Sequence, residues 1–220
     1  MKVLELIIDA IDEFTGVDAV ALVEEPAIQA DFYAFNNDEV LDVISSNLIK
    51  HMLFDQMKGE QNFSYDTDKA KNKDVKIEPT KVNFALHEDQ QMVVGPLMVP
   101  DKLILRVDEE GQPYYVFFSQ KTITKIAEKM MKFGNNNSLN VEHDPNKPVD
   151  GYMTSIWMVE DVLKDKQQIY GFNFPVGTLM GQYKIEDLSV WQKVKDGEIK
   201  GFSVEGFFND RFVQAAKTNI

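Results

Sequence analysis

Leu103-Ile104-Leu105-Arg106-Val107-Asp108-Glu109-Glu110-Gly111-Gln112-Pro113-Tyr114-Tyr115-Val116-Phe117-Phe118-Ser119 sets two runs of aliphatic and aromatic residues on either side of a turn cluster. Leu103 to Val107 and Tyr114 to Phe118 read as strands, and Glu109 to Pro113 closes them into a hairpin. The apolar period then changes from strand-like to helical. Ser119 or a neighbour caps a helix over about 120–133, with Ile123, Ile126, Ala127 and Met130 on its buried face. Gly134-Asn135-Asn136-Asn137 ends that helix, because these residues tolerate a left-handed backbone.

Further strands flank this unit: Val82 to Leu86 and Gln91 to Met98 before it, then Leu139 to His143, Tyr152 to Met158, Gln168 to Phe174 and Ile199 to Phe208 after it. A helix is expected over about 186–195, ending at Asp196-Gly197. Strands dominate, with two or three helices. The class is therefore α+β, with a β-barrel or strongly bent sheet as its core and helices at its flanks.

Upstream the pattern differs. Val3-Leu4-Glu5-Leu6-Ile7-Ile8 and Gly16-Val17-Asp18-Ala19-Val20-Ala21-Leu22-Val23 have strand composition, and Pro26 breaks the second run. Val40, Leu41, Val43, Ile44, Leu48, Ile49, Met52 and Leu53 recur at helical spacing, so an amphipathic helix is expected over about 36–54. Its apolar stripe would pack on the core or dock a partner. Residues 55–80 are polar and rich in Lys, Asp, Asn and Gln, the composition of a linker. The expected organisation is an N-terminal arm and helix (1–54), a linker (55–80) and a β-rich domain (81–220).

Composition narrows the function. A formal charge of −13 over 220 residues argues against nucleic-acid binding, which rests on clustered Lys and Arg. Cysteine is absent, which removes disulfides, thiol catalysis and thiolate metal sites. No apolar run reaches the roughly 18–20 residues of a membrane span, and acids interrupt the first residues, unlike a signal peptide. A cytosolic protein is expected, with no membrane partner.

Three histidines are present. His51 and His87 read as structural or surface residues. His143 ends a strand and precedes the polar turn Asp144-Pro145-Asn146-Lys147-Pro148, a place where an imidazole is exposed in a cleft. Ser203 lies in Gly201-Phe202-Ser203-Val204-Glu205-Gly206, where glycines let another backbone, such as a substrate strand, approach. Taken singly, that stretch is better explained by a barrel strand with an inward serine and glycines that permit bending. The spacing is not the Gly-x-Ser-x-Gly elbow of α/β-hydrolases. No second histidine stands at metal-ligand spacing from His143, so neither metal nor cofactor is expected.

Taken together, Asn140-Val141-Glu142-His143-Asp144, Pro148-Val149-Asp150-Gly151 and Trp191 to Gly206 resemble the phage prohead proteases of the XkdF-like group, themselves similar to herpesvirus assemblins. Gly95 to Pro100 and Gly16 to Ile28 share the likeness. The resemblance implies an assemblin-like barrel and a serine endopeptidase of the Ser/His type. Ser203 would be the nucleophile and His143 the general base. For the third member it implies an acid in the strand after the histidine turn. That strand carries Ser155 where the acid is expected, so the candidates are Glu160, then Asp161, then Asp144. The implied substrates are scaffold protein and capsid-protein extensions, cleaved inside the procapsid in the host cytoplasm, with self-association as a further expectation. A catalytically silent structural or binding protein of the virion on the same fold is the alternative.

Overall fold

The computed structural model describes residues 2–9, 15–35 and 90–212. Among them run twelve strands and two α-helices. The strands are β1 (Val3–Ile7), β2 (Gly16–Val23), β3 (Tyr33–Phe35), β4 (Met92–Met98), β5 (Ile104–Val107), β6 (Pro113–Phe117), β7 (Leu139–Val141), β8 (Asp144–Pro148), β9 (Gly151–Met158), β10 (Leu179–Ile185), β11 (Gly201–Phe207) and β12 (Asn209–Phe212). The helices are α1 (Gln120–Phe133) and α2 (Leu188–Lys195). The expected helix over 36–54, the linker over 55–80, the strand Val82 to Leu86, and His51 and His87 lie outside the described residues.

The hairpin and helix that fix the class form as their residues dictate. β5 pairs antiparallel with β6, Val107 opposite Pro113. The Asp108 carboxylate accepts the Gln112 N–H at 2.7 Å, and Gly111 supplies the positive φ that the turn requires. The Ser119 hydroxyl then accepts the Thr122 N–H at 3.3 Å and caps α1. Gly134, at φ 78°, ends it by donating its N–H back to the Met130 carbonyl. Ile123, Ile126 and Met130 are fully buried against the sheets.

The strands form three four-stranded sheets, ordered β12-β1-β6-β5, β3-β4-β10-β9 and β11-β2-β7-β8. Each sheet takes one strand from the first 35 residues, so the segment expected to be an arm is woven through the whole core. Among the described residues no closed barrel forms, contrary to expectation. The sheets meet through side chains instead of ladders. Phe202 of β11, for example, sits 5.2 Å from both the Phe32 ring and the Tyr183 ring of β10. One apolar cluster, including Val20, Leu22, Leu97, Ile126, Tyr183, Trp191 and Phe202, spans all three.

Three local expectations are corrected. Asp144–Pro148, expected to be a turn, is strand β8; its two prolines are tolerated because β8 is the edge of its sheet. Gln168 to Phe174, expected to be a strand, begins as a 3-10 turn over Lys166–Tyr170, capped by the Asp165 carboxylate and ended by Gly171 at φ 78°. β10, which the sequence patterns do not predict, is the interior strand between β4 and β9.

β1 is held to β12 by a buried carboxylate. Glu5, 5% exposed, accepts from the Arg211 guanidinium, the Nε bond being 3.1 Å, and from the Thr122 hydroxyl at 3.5 Å. Burial alone would raise the Glu5 carboxyl, but bonds from Ser119, Arg211 and Thr122 outweigh it and hold it below its ordinary 4.5. A depressed native carboxyl stabilises the fold fully above 4.5 and loses that contribution as pH falls through its lowered native value. Glu5→Gln should therefore cost about 1–3 kcal/mol at neutral pH and flatten the acid limb of the stability curve below about pH 4.5. Denaturant unfolding of both proteins from neutral pH into the acid range checks this; parallel acid limbs would refute it.

Candidate active site

β2 is the strand on which the site is built. β11 pairs with it antiparallel and β7 pairs with it parallel. Ala21 faces Ser203 on one side and Asn140 on the other, and Ala19 faces Glu205. Residues directly opposite share a sheet face, and so do residues two apart along a strand. Ser203, Glu205 and Asn140 therefore project from one face across two alanines. Because an alanine ends at its methyl group, Asn140 reaches over β2. Its Nδ2 donates to Glu205 Oε1 at 2.5 Å.

His143 arrives by the hairpin between β7 and β8. Val141 pairs with Asp144, so Glu142 and His143 are a two-residue loop. Both have positive φ, 54° and 58°, the pattern of a type I′ turn that Asn-Gly would fill without strain. Non-glycine residues held there cost on the order of 1–3 kcal/mol each and persist only where neighbours fix them. The neighbours are present. The Glu142 N–H donates to the Leu22 carbonyl at 3.1 Å, and the Glu142 carboxylate accepts the Glu24 N–H at 2.6 Å. His143 Nδ1 meets Glu205 Oε1 at 3.2 Å.

That last contact sets the chemistry of the ring. An ionised carboxylate oxygen can only accept, so this contact favours a proton on Nδ1, which in a neutral imidazole leaves Nε2 bare. The acid beside His143 is therefore Glu205, not a residue of the strand after the turn. None of the three carboxylates expected from sequence contacts His143 among the described residues. Glu160 is exposed, its N–H donating to Asp165 Oδ2 at 3.4 Å. Asp161 accepts the Leu163 N–H at 2.9 Å. Asp144 accepts the Asn146 N–H at 2.9 Å and pairs with Lys147 at 3.1 Å; those two contacts, the Asn146 bond foremost, hold its carboxyl below the usual range. Ser155 lies on β9 opposite Gln182 and accepts from Lys166 at 3.4 Å, in a different sheet. The sequence signal for Glu205 is its place two residues beyond Ser203 on the same strand, a spacing that puts both on one face.

Ser203 and His143 line one cavity of about 730 Å³, together with Glu205 and Asp18. Ser203 is buried, 7% exposed. Among the described residues no hydrogen bond joins its hydroxyl to His143; in substrate-free enzymes such contacts are often long and tighten on binding. Asp18 is raised above its ordinary value, first by desolvation and then by the Glu205 charge, with Lys129 working against both. Lys129, buried on α1, donates to the Asp9 carbonyl at 3.1 Å. Asn140 Oδ1 is buried without a partner among the described residues.

The glycines around Ser203 serve the fold. A Cβ on Gly206 would stand 1.8 Å from the Gly16 carbonyl oxygen, and one on Gly201 would stand 2.7 Å from Pro26 Cγ. The close neighbour at each is this chain and not a substrate strand. Among the described residues no cluster of His, Asp and Glu could hold a metal ion.

Residues 81–211 match a protein-family model described as "Putative phage serine protease XkdF". No curated protein and no solved structure gives a significant match.

The geometry has two measurable consequences. Gly206→Ala should destabilise the protein by more than about 2 kcal/mol, because the new methyl overlaps backbone that cannot step aside; an unchanged melting temperature would contradict it. In ¹⁵N NMR spectra above the imidazole's titration, His143 should carry its proton on Nδ1. Glu205→Ala should shift the population towards Nε2–H, and an identical tautomer ratio in both proteins would show that the carboxylate does not orient the ring.

Proposed function

The chain belongs to the family of phage serine proteases whose model it matches over residues 81–211, and we propose that it is a serine endopeptidase working through Ser203, His143 and Glu205. The observation that supports this most is the 3.2 Å contact between His143 Nδ1 and Glu205 Oε1, with Ser203 two residues before that carboxylate and lining the same cavity.

In this reading the Ser203 Oγ attacks the scissile carbonyl carbon as its proton passes to His143 Nε2. The imidazolium is stabilised by Glu205, which stays ionised. His143 then gives the proton to the departing amine as the C–N bond breaks, leaving an acyl ester on Ser203. Water, deprotonated by the same Nε2, attacks that ester, and the proton returns to the serine as the acid product leaves. Asn140 acts on Glu205 rather than on substrate, holding the oxygen that faces the ring.

The natural substrates would be scaffold protein and capsid-protein extensions, met inside the procapsid in the host cytoplasm, and the sheets would be an opened variant of the assemblin barrel. The absence of a hydrogen bond between Ser203 and His143 is the observation that favours the second reading, a silent structural protein of the virion.

Mixing the purified chain with the scaffold protein of its phage separates the two. Cleavage should occur with wild type and vanish with Ser203→Ala and with His143→Ala. Glu205→Ala should retain a trace, slower by about four orders of magnitude, the loss that a misoriented imidazole produces. Equal cleavage by wild type and Ser203→Ala would end the proposed mechanism, and no cleavage by wild type would favour the silent reading.

A further inference from the structure

The cavity beside Ser203 is far larger than a serine and a histidine need, and most of its wall is apolar. Ile28, Leu97, Met98, Ile104, Phe118 and Phe208 line it, and the first five are buried in the fold. Phe118 and Phe208 meet edge to face at 4.9 Å, which gives the wall a fixed aromatic corner. A volume of about 730 Å³ lies within the roughly 300–1,000 Å³ of pockets that enclose ligands. The cavity's polar lining is Ser203, His143, Glu205, Asp18 and Arg106.

The position of the cavity along the chain is equally informative. Every residue of β11 from Phe202 to Phe207 lines it, and so does Phe208 just beyond; residues along the strand alternate between its two faces. A cavity touched by both faces of a strand runs beside the strand's edge. β11 is the outer strand of its sheet, with β2 on its inner side. No strand pairs with its outer side among the described residues, the Phe32 N–H reaching only the Lys200 carbonyl just before it, and an open edge is where proteins add an extended peptide to a sheet.

We propose that this cavity selects the substrate, taking a bulky apolar side chain, Phe or Leu in kind, from an extended segment that runs along the outer edge of β11. The proposal deepens the protease reading and rests on it for the word substrate; the preference for an apolar side chain stands on the cavity wall alone. A buried aliphatic or aromatic side chain gains about 1.5–3 kcal/mol over an exposed one. An acidic side chain in the same place would be desolvated against apolar walls and would meet the carboxylates of Glu205 and Asp18, which outnumber the one guanidinium, Arg106, in the lining, and would be rejected.

The test uses the full chain carrying Ser203→Ala, which removes the nucleophile and leaves the cavity wall intact. Acetylated, amidated pentapeptides Ala-Ala-Xaa-Ala-Ala, with Xaa as Phe, Leu, Ala or Asp, are titrated by calorimetry or NMR. The Phe and Leu peptides should bind about tenfold or more tightly than the Ala peptide, and the Asp peptide no better than Ala. Filling the cavity with Ile104→Trp in the same background should erase the discrimination. Ile28→Phe, at a turn position that also lines the cavity, supplies the same test if the first variant melts early. Equal affinities across the four peptides, no saturable binding of the Phe peptide up to about 1 mM, or discrimination that survives both fillings would overturn the proposal. Failure of the protease reading looks different: wild type would leave scaffold intact while the peptide preference persists. Scaffold cleavage without any peptide preference would sink the cavity proposal alone.

Discussion

Two methyl groups on β2 hold the candidate site together. Ala19 and Ala21 stand between β11 and β7 on the face where Ser203, Glu205 and Asn140 project. Any longer side chain at Ala21 would fill the space through which Asn140 reaches Glu205. Without that reach the carboxylate would have one fewer donor fixing it against His143 Nδ1. The strained hairpin of Glu142 and His143 depends on the same strand, since β2 supplies the Leu22 carbonyl and the chain just beyond it the Glu24 N–H. The proposed nucleophile, base and acid thus come from one strand and a loop that meet across another.

That intervening strand lies outside the matched region, as do β1 and β3. The matched region, residues 81–211, contains Ser203, His143 and Glu205 but not the strand β2 across which they meet. A family profile records which residues recur in which order. It does not show that the partner strands come from elsewhere in the chain. Each sheet here borrows one strand from the N-terminal segment, so the geometry of the site and global stability draw on the same hydrogen bonds.

Much of this is legible in the sequence, and the failures have physical causes. β1, β2, β4 to β7, β9, β11, α1 and α2 follow from periodicity and caps because each either shows one face to the core or carries its own stop signal. β10 escapes prediction because Gly181 interrupts an otherwise strand-like run. That glycine is there because Leu97 leaves no room for a Cβ, the nearest atom being 2.9 Å away. The stretch 168–174 misleads because apolar and aromatic residues suit a strand, whereas the Asp165 cap and Gly171 fold it locally. The barrel does not follow from strand count, since closure depends on ladders between sheets and those are long-range. For the third acid, family expectation points to the strand after the histidine turn, while simple strand parity points to Glu205. The carboxylate found in contact with His143 is the one that parity places, because parity is a local property of this chain.

The pairing of β1 with β12 and β2 with β11 joins residues from opposite ends of the described chain. Closing such pairs is slow, because loop entropy is lost before any contact compensates for it. On a ribosome the consequence is an order of events. Helix α1 and the β5–β6 hairpin are able to form as soon as they emerge, but β2 must wait, unpaired on one side, until β11 has been synthesised. The cavity that Ser203, Glu205 and His143 line is therefore completed only after almost all of the described chain has left the exit tunnel. The candidate site is thus among the last features of the described fold to assemble.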